Sequence, residues 1–492
     1  MTKRKIYILE MTRYRRGDMV LTLENRLSEG GIHALASLIA SQATITQLTH
    51  GESVVNETNV NNVLDTVQDC LQENGLRTAS VDTPSIENAD VRVYASNPVY
   101  MITLGEQSFV LKFGANPADI TKFLADYDIP VAKSLGTFDL NIGGTNHHVS
   151  LMPYVEGETL GQVLRSKQQY IRNQTITNYL RQSVTELVKL QQRGLQGERE
   201  GHYVLDAVAE DADYFTRRIS AVFKDQTLGY LGELLGEKKV GQFEEAADEL
   251  IQAYSAVNDE LVRASLEDAV YYSDHGPNNI VCNEGNVTLL DNDGGKKLLG
   301  LLDFVSLTEF GKLNAEHTSF IDYLSREERD DLFHQYLLER KIESTKDEHV
   351  KKEIREFIQD HKGRYTNHKN KGTFHSHVDK QELAQANELL QCARLQRHLE
   401  YVGYAQRDLS QAPGETKTYS LDERKINELN RQLYHVSKAQ DAVSRMRGTK
   451  KTGLQSALSR IMNPLRNQRF GDLTLENLQR VYKTDLARSG AA

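Results

Sequence analysis

Residues 270–310 read VYYSDHGPNNIVCNEGNVTLLDNDGGKKLLGLLDFVSLTEF, and the rest of the chain is read outward from them. Val270, Tyr271 and Tyr272 have the composition of a buried strand end. Asp274, Pro277 and Asn279 follow in a polar loop rich in turn residues. A second apolar run, Leu298 to Phe304, predicts a strand that delivers Asp303 to its C-terminal end. Between the two runs, VCNEGNV and LLDNDGGKK both read as turns, which predicts an inserted hairpin.

The residue types suit phosphoryl transfer. A nucleotide's phosphates are held by Mg²⁺, a hard ion that takes oxygen ligands from one or two carboxylates and amides. Asn279 and Asp303 are the candidates for that role. An attacking hydroxyl needs a carboxylate to orient it and to accept its proton late, and Asp274 suits this. Asp291 and Asp293 compete for the metal position, but Asp303 is preferred because it ends an apolar run and is followed by Phe304. Asp291-Asn292-Asp293-Gly294 matches the start of a calcium loop, yet the later ligand positions are absent. A hairpin turn is the expected structure there.

At 492 residues the chain exceeds the size at which one core keeps growing, so more than one compact unit is expected. No apolar run approaches the ~20 residues of a membrane helix, and MTKRKIYILEMTRYRR has charges but no apolar core of a leader. Cys70, Cys282 and Cys392 are scattered, without the spacing of a zinc site or a disulfide framework. A cytoplasmic, reducing location is expected. The net charge of -10 argues against general nucleic-acid binding. Its distribution is uneven: Glu423 to Ala492 holds 14 Lys/Arg against 6 Asp/Glu, so a tail of +8 follows a body of -18. The tail has three expected uses: lying against the body, binding an acidic partner, or touching an anionic membrane surface.

Upstream, Val60, Val63, Leu64, Val67 and Leu71 recur at near-helical spacing. VRVYAS, VYMITLG and QSFVLKFG then predict three strands in an antiparallel meander. Lys112, between Leu111 and Phe113 on the third, runs its stem across a half-buried face, so its ammonium either meets an anion, phosphate oxygens being one candidate, or points to solvent from an edge strand. A short helix with Pro117 in its first turn carries Asp119 near its start. A strand from Val149 to Tyr154 leads into a helix beginning near Thr159, a hinge between a β-rich and a helical lobe. Amphipathic helices are expected around Tyr179–Leu195, Phe243–Leu261, Arg326–Leu338 and Gln381–Tyr404. The Lys-, Arg- and His-rich segment 351–380, with His375 and His377, is read as a solvated basic surface, with an anion-binding patch as its functional rival.

Five blocks in order, SNPVYMITLGEQSFVLKFG, DYDIPVAKSLGTF, SLMPYVEGETLGQVL, SDHGPNNIV and GLLDFVSL, resemble the aminoglycoside phosphotransferase and choline kinase group, relatives of the protein kinases. The resemblance spans roughly residues 90 to 410. It implies an α+β, two-lobed kinase-like fold with an antiparallel β-rich N-lobe (86–155) and a mainly helical C-lobe (156–412), flanked by extensions at 1–85 and 413–492. It also implies an ATP- and Mg²⁺-dependent phosphotransferase. In that reading Ser96 and Asn97 form the phosphate-covering turn, Lys112 holds the α- and β-phosphates, and Asp119 stands where the family has a Glu paired to that Lys. Met152 and Tyr154 lie at the adenine hinge. Asp274 is the base, and Asn279 with Asp303 binds metal. The chain departs from the family at Tyr272-Ser273, where a His-Gly or His-Arg precedes the catalytic Asp, and in a covering turn without glycines.

The acceptor stays open between a small-molecule alcohol and a protein Ser, Thr or Tyr. Two other classes use the same residues: a pseudokinase-type binding protein, and a nucleotidyl transferase with the nucleotide turned around.

Overall fold

The computed structural model of the protein describes most of residues 43–474; the longest undescribed internal stretches are 74–84, 167–173, 229–236 and 411–420. The architecture is α+β, as expected, in two compact units. The first contains a six-stranded sheet and one helix: β1 (Ala43–His50), α1 (Val60–Glu73), β2 (Ser85–Tyr94), β3 (Val99–Leu104), β4 (Gln107–Phe113), β5 (Gly136–Ile142) and β6 (Thr145–Pro153). The strand order is β2-β1-β3-β4-β6-β5.

The expected three-strand meander is corrected here. β3 and β4 do form a hairpin, but β2 does not pair with β3. Instead β1 pairs antiparallel with β3 and parallel with β2. Parallel neighbours need a long crossover, and α1 lies within it, between β1 and β2. The helical periodicity read in α1 is what docks it: Val63, Leu64, Val67 and Leu71 are buried in one core with Tyr100, Ile102, Leu111, Phe113, Val149 and Leu151 of the sheet.

The second unit takes up residues 117–133 and resumes at residue 155. It contains α2 (Ala118–Asp126), β7 (Glu158–Thr159), a short helix (Leu160–Ser166), α3 (Gln174–Arg199) and α4 (Glu237–Glu267). Then come β8 (Ala269–Tyr272), β9 (Ile280–Asn283), β10 (Asn286–Leu289), β11 (Lys296–Leu299), α5 (Leu301–Thr308) and α6 (Arg326–Ser344). α7 (Lys380–Ser410), α8 (Leu421–Arg445) and α9 (Lys450–Arg466) complete the helical part. The helix expected near Thr159 starts there because Thr159 caps it: its Oγ1 accepts from Gln162 N at 3.1 Å while Gln162 Oε1 accepts from Thr159 N at 2.8 Å.

α7 is the axis of this unit. Residues 391–400 are buried on every side, so each polar group among them needs a partner. Arg394 meets Glu309 at 2.9 Å and Asp441 at 3.0 Å, and Gln396 donates to Glu400 at 2.7 Å. The described helices of the basic tail lie against this body. α8 packs on α7 and α9 on α4, with Val436, Val443, Leu454, Leu458 and Ile461 in the common core, and Arg460 ion-pairs with Glu249 of α4. α9 also runs through Pro464. No helix among the described residues is long and apolar enough to cross a membrane.

Candidate active site

β8 and β11 run antiparallel, with Lys296 opposite Tyr272. The loop leaving β8 and the loop entering β11 therefore lie side by side. Between them β9 and β10 form the expected hairpin, closed by Glu284 and Gly285 at φ 46° and 91°. Two left-handed residues are what a two-residue hairpin turn with the sheet's twist demands.

The loop after β8 is held by its own backbone. Gly276 N donates to Asp274 O at 2.9 Å, and Asn279 N to Gly276 O at 2.9 Å, closing a single 3₁₀ turn over Pro277–Asn279. Asn279 Nδ2 donates to Asp274 O at 3.2 Å, which leaves its carbonyl oxygen as the free end of the amide. Leu290 N donates to Asn279 O at 2.8 Å, so the residue next in sequence, Asp291, emerges beside Asn279. Asp274 and Asp291 are both exposed, and both hold left-handed backbone, at φ 59° and 60°. That conformation is uncommon outside glycine, and Asp is among the residues that tolerate it. Gly295 ends this second loop where nothing larger fits, since a Cβ there would sit 2.0 Å from the Tyr271 ring.

Asp303 is not at a strand end. The apolar run Leu298–Phe304 divides at Gly300 into the end of β11 and the start of α5, and Asp303 sits in the first turn of that helix with no exposed surface. Its Oδ1 accepts from His275 N at 2.9 Å and its Oδ2 from Ser273 N at 3.3 Å. Both carboxylate oxygens are thus engaged with the backbone on either side of Asp274, so the expected strand-end position is corrected to a buried clamp on the loop. Burial pushes its carboxyl up to about 7, helped by Asp274 and opposed by the two amides. His275 is buried beside it, with Nδ1 2.5 Å from Ser273 Oγ, and burial lowers it to about 4 despite the nearby carboxylates of Asp291 and Asp274. The imidazole is neutral at neutral pH.

Arg397 escaped the sequence reading. Its guanidinium, 2% exposed, ion-pairs with Asp274 Oδ1, bonds Ser306 Oγ, meets Glu400 at 2.6 Å and lies 5.1 Å over the Tyr401 ring. Ser306 also donates to Asp274 Oδ1, at 3.2 Å. One oxygen of Asp274 is therefore fixed from beneath while the side chain stays half exposed. Charged residues embedded in the apolar run Leu389–Val402 were the available signal. Arg397→Met is expected to destabilise the protein by about 3–5 kcal/mol, because it leaves Glu400 buried and short of a partner. A denaturant titration with unchanged midpoint would contradict this.

The remaining predicted residues are spread between the units. Lys112 is half-buried in β4, opposite Val99 and Ser150, on the sheet face away from Leu111 and Phe113. Met152 is half-buried in β6, and Tyr154, just beyond it, is exposed. Ser96 and Asn97 lie outside the described residues; Asp119 is in α2, but its side chain lies outside them too. In the basic segment 351–380, His375 Nδ1 is 3.1 Å from Val378 O. Among the described residues no cluster of three or more His, Cys, Asp or Glu is gathered for a metal ion. Asp274, Asn279 and Asp291, on the adjoining loops, carry two carboxylates and an amide oxygen, the hard-oxygen donor types that Mg²⁺ takes.

No protein-family model matches the chain, and no curated protein sequence matches it. Solved structures do. The choline kinase of Cryptosporidium parvum Iowa II is similar at 10% identity, over 75% of this chain and 92% of that one, with a TM-score of 0.44. A Plasmodium vivax ethanolamine kinase is similar at 10% identity over 70% and 79%, TM-score 0.36. A putative aminoglycoside phosphotransferase from Ralstonia eutropha is similar at 14% identity over 70% and 90%, TM-score 0.36.

Proposed function

We propose that the chain is an ATP- and Mg²⁺-dependent phosphotransferase acting on an acceptor hydroxyl, with Asp274 as the acceptor-orienting base and Asn279 and Asp291 as the metal-holding pair. The observation that carries this reading is the bond from Leu290 N to Asn279 O together with that from Asn279 Nδ2 to Asp274 O. They hold the loops that carry Asp274, Asn279 and Asp291 side by side and leave the amide oxygen of Asn279 unused within the loop. Mg²⁺, when bound, neutralises phosphate charge. The chain's own contribution is positioning.

Asp274 presents the oxygen not taken by Arg397 and Ser306 to the acceptor, orients its hydroxyl and takes the proton as the acceptor oxygen bonds to the γ-phosphorus and the bond from that phosphorus to the bridging oxygen breaks, releasing ADP. Asp303 keeps the loop in its strained left-handed turn through the Ser273 and His275 amides. In the first unit, Lys112 is proposed for the α- and β-phosphates and Met152 with Tyr154 for the adenine. Ser96, Asn97 and Asp119 keep the roles that the sequence resemblance implies.

Incubation with γ-labelled and, separately, α-labelled ATP in the presence of Mg²⁺ and an acceptor pool tests the reading. Label transferred from the γ position alone is the expected result. Label from the α position alone would make the protein a nucleotidyl transferase. Absence of both, with no Mg²⁺-dependent stabilisation by ATP, would leave a pseudokinase.

A further inference from the structure

A cavity of about 390 Å³ opens elsewhere in the helical unit, between α5, α6, α7 and the end of α8. Its size falls within the range of about 300–1,000 Å³ typical of small-molecule sites. None of Asp274, Asn279 or Asp291 lines it. The apolar part of its wall is Phe304, Phe333 and Leu390, all buried. Around these stand five arginines, Arg326, Arg329, Arg394, Arg445 and Arg447, against three carboxylates, Glu309, Asp330 and Glu388.

The inner arginines are held by carboxylates, and the loosely held ones stand at the mouth. Glu309 is shared by Arg394 at 2.9 Å and Arg329 at 3.4 Å, and carboxylates behind the wall meet both, Asp441 with Arg394 and Asp322 with Arg329, each at 3.0 Å. Arg445 is turned to Asp441 at 2.9 Å. Arg326 and Asp330 are 3.8 Å apart on the surface, where such pairs contribute little. Arg447 is exposed, and among the described residues no ion pair engages its guanidinium; only its backbone N approaches Glu388, at 3.2 Å. His334, also on the lining, has a buried Nδ1 without a hydrogen-bond partner among the described residues. Its ring packs edge-on against Phe374 at 4.9 Å.

From the two exposed arginines at the mouth, Arg326 weakly paired and Arg447 without an ion pair at its guanidinium among the described residues, the phenylalanine floor and the orphaned imidazole nitrogen, we infer that this cavity is a binding site for a small anion on a flat apolar body, of the aryl phosphate class. Planar guanidinium forks match phosphate oxygens two at a time, and the rings accept the aryl group. His334 Nδ1 gains the partner it lacks. The inference does not depend on phosphotransfer at Asp274, because the two sites share no residue.

Phenyl phosphate serves as the probe, with inorganic phosphate and benzyltrimethylammonium as controls, titrated calorimetrically into the full chain. The variants are R326E/R447E, both exposed and therefore harmless to folding, and D291N, which alters the other site only. Phenyl phosphate is expected to bind the parent and D291N alike, to bind R326E/R447E at least tenfold more weakly, and to bind better than inorganic phosphate. The cation should give no heat. Equal affinity for R326E/R447E, loss of binding in D291N, no binding at millimolar probe, or equal affinity for the cation would each overturn the assignment. Thermal unfolding of both variants without ligand confirms that folded protein was compared.

Discussion

Asp291→Asn is expected to reduce phosphate transfer from ATP by about 10³-fold or more, while its unfolding midpoint stays close to that of the parent. A metal-held phosphoryl group owes several kcal/mol of transition-state stabilisation to the ion, and each ~1.4 kcal/mol is a factor of ten in rate. Asn keeps an oxygen but loses the charge that a hard dication selects. Stability should be spared because Asp291 is exposed and surface changes usually stay within about ±0.5 kcal/mol. Two measurements check this: labelled γ-phosphate incorporation, and the Mg²⁺-dependent part of stabilisation by ATP in thermal unfolding. Both should vanish together in Asp291→Asn. Full transfer in that variant would remove Asp291 from the metal position.

Asp291 and Asp303 show where a sequence informs and where it stops. The spacing of Asp274 and Asn279, the turn at Glu284-Gly285 and the helical face of α1 were legible because each depends on local chemistry: loop length, left-handed turn positions, a 3.6-residue repeat. The run Leu298–Phe304 was not, since a short fully buried segment has no periodicity by which to tell strand from helix. Only Gly300 marked the division. Choosing Asp303 over Asp291 followed directly from that misjudged strand. The insertion of β1 between β2 and β3 is a non-local pairing, and no residue of VRVYAS announces its partner. Arg397 stands 123 positions from Asp274, and only the packing of α7 under the loop brings them together.

Asp303 supplies the second large effect, and it is one of stability and its pH dependence. Asp303→Ala leaves the Ser273 and His275 amides buried without acceptors, at about 1–3 kcal/mol each, and releases the turn that holds Asp274 at φ 59°. A loss of several kcal/mol, with transfer activity falling as the loop loosens, is the expected outcome. The pH dependence follows from the raised carboxyl. Its value is near 3.8 in the unfolded chain and about 7 in the folded one, so the folded state binds the proton more tightly. The resulting stabilisation is complete below about pH 4, shrinks as pH rises towards 7, and is gone above it. Asp303→Asn cannot titrate and loses this slope while keeping one acceptor oxygen. The stability difference between parent and Asp303→Asn, measured by denaturant titration from pH 4.5 to 8, should therefore move against the parent up to about pH 7 and then level off. A difference that instead stays flat across this range would mean that the two amides outweigh burial and hold Asp303 ionised throughout, leaving a permanent negative charge beneath the loop that carries Asp274.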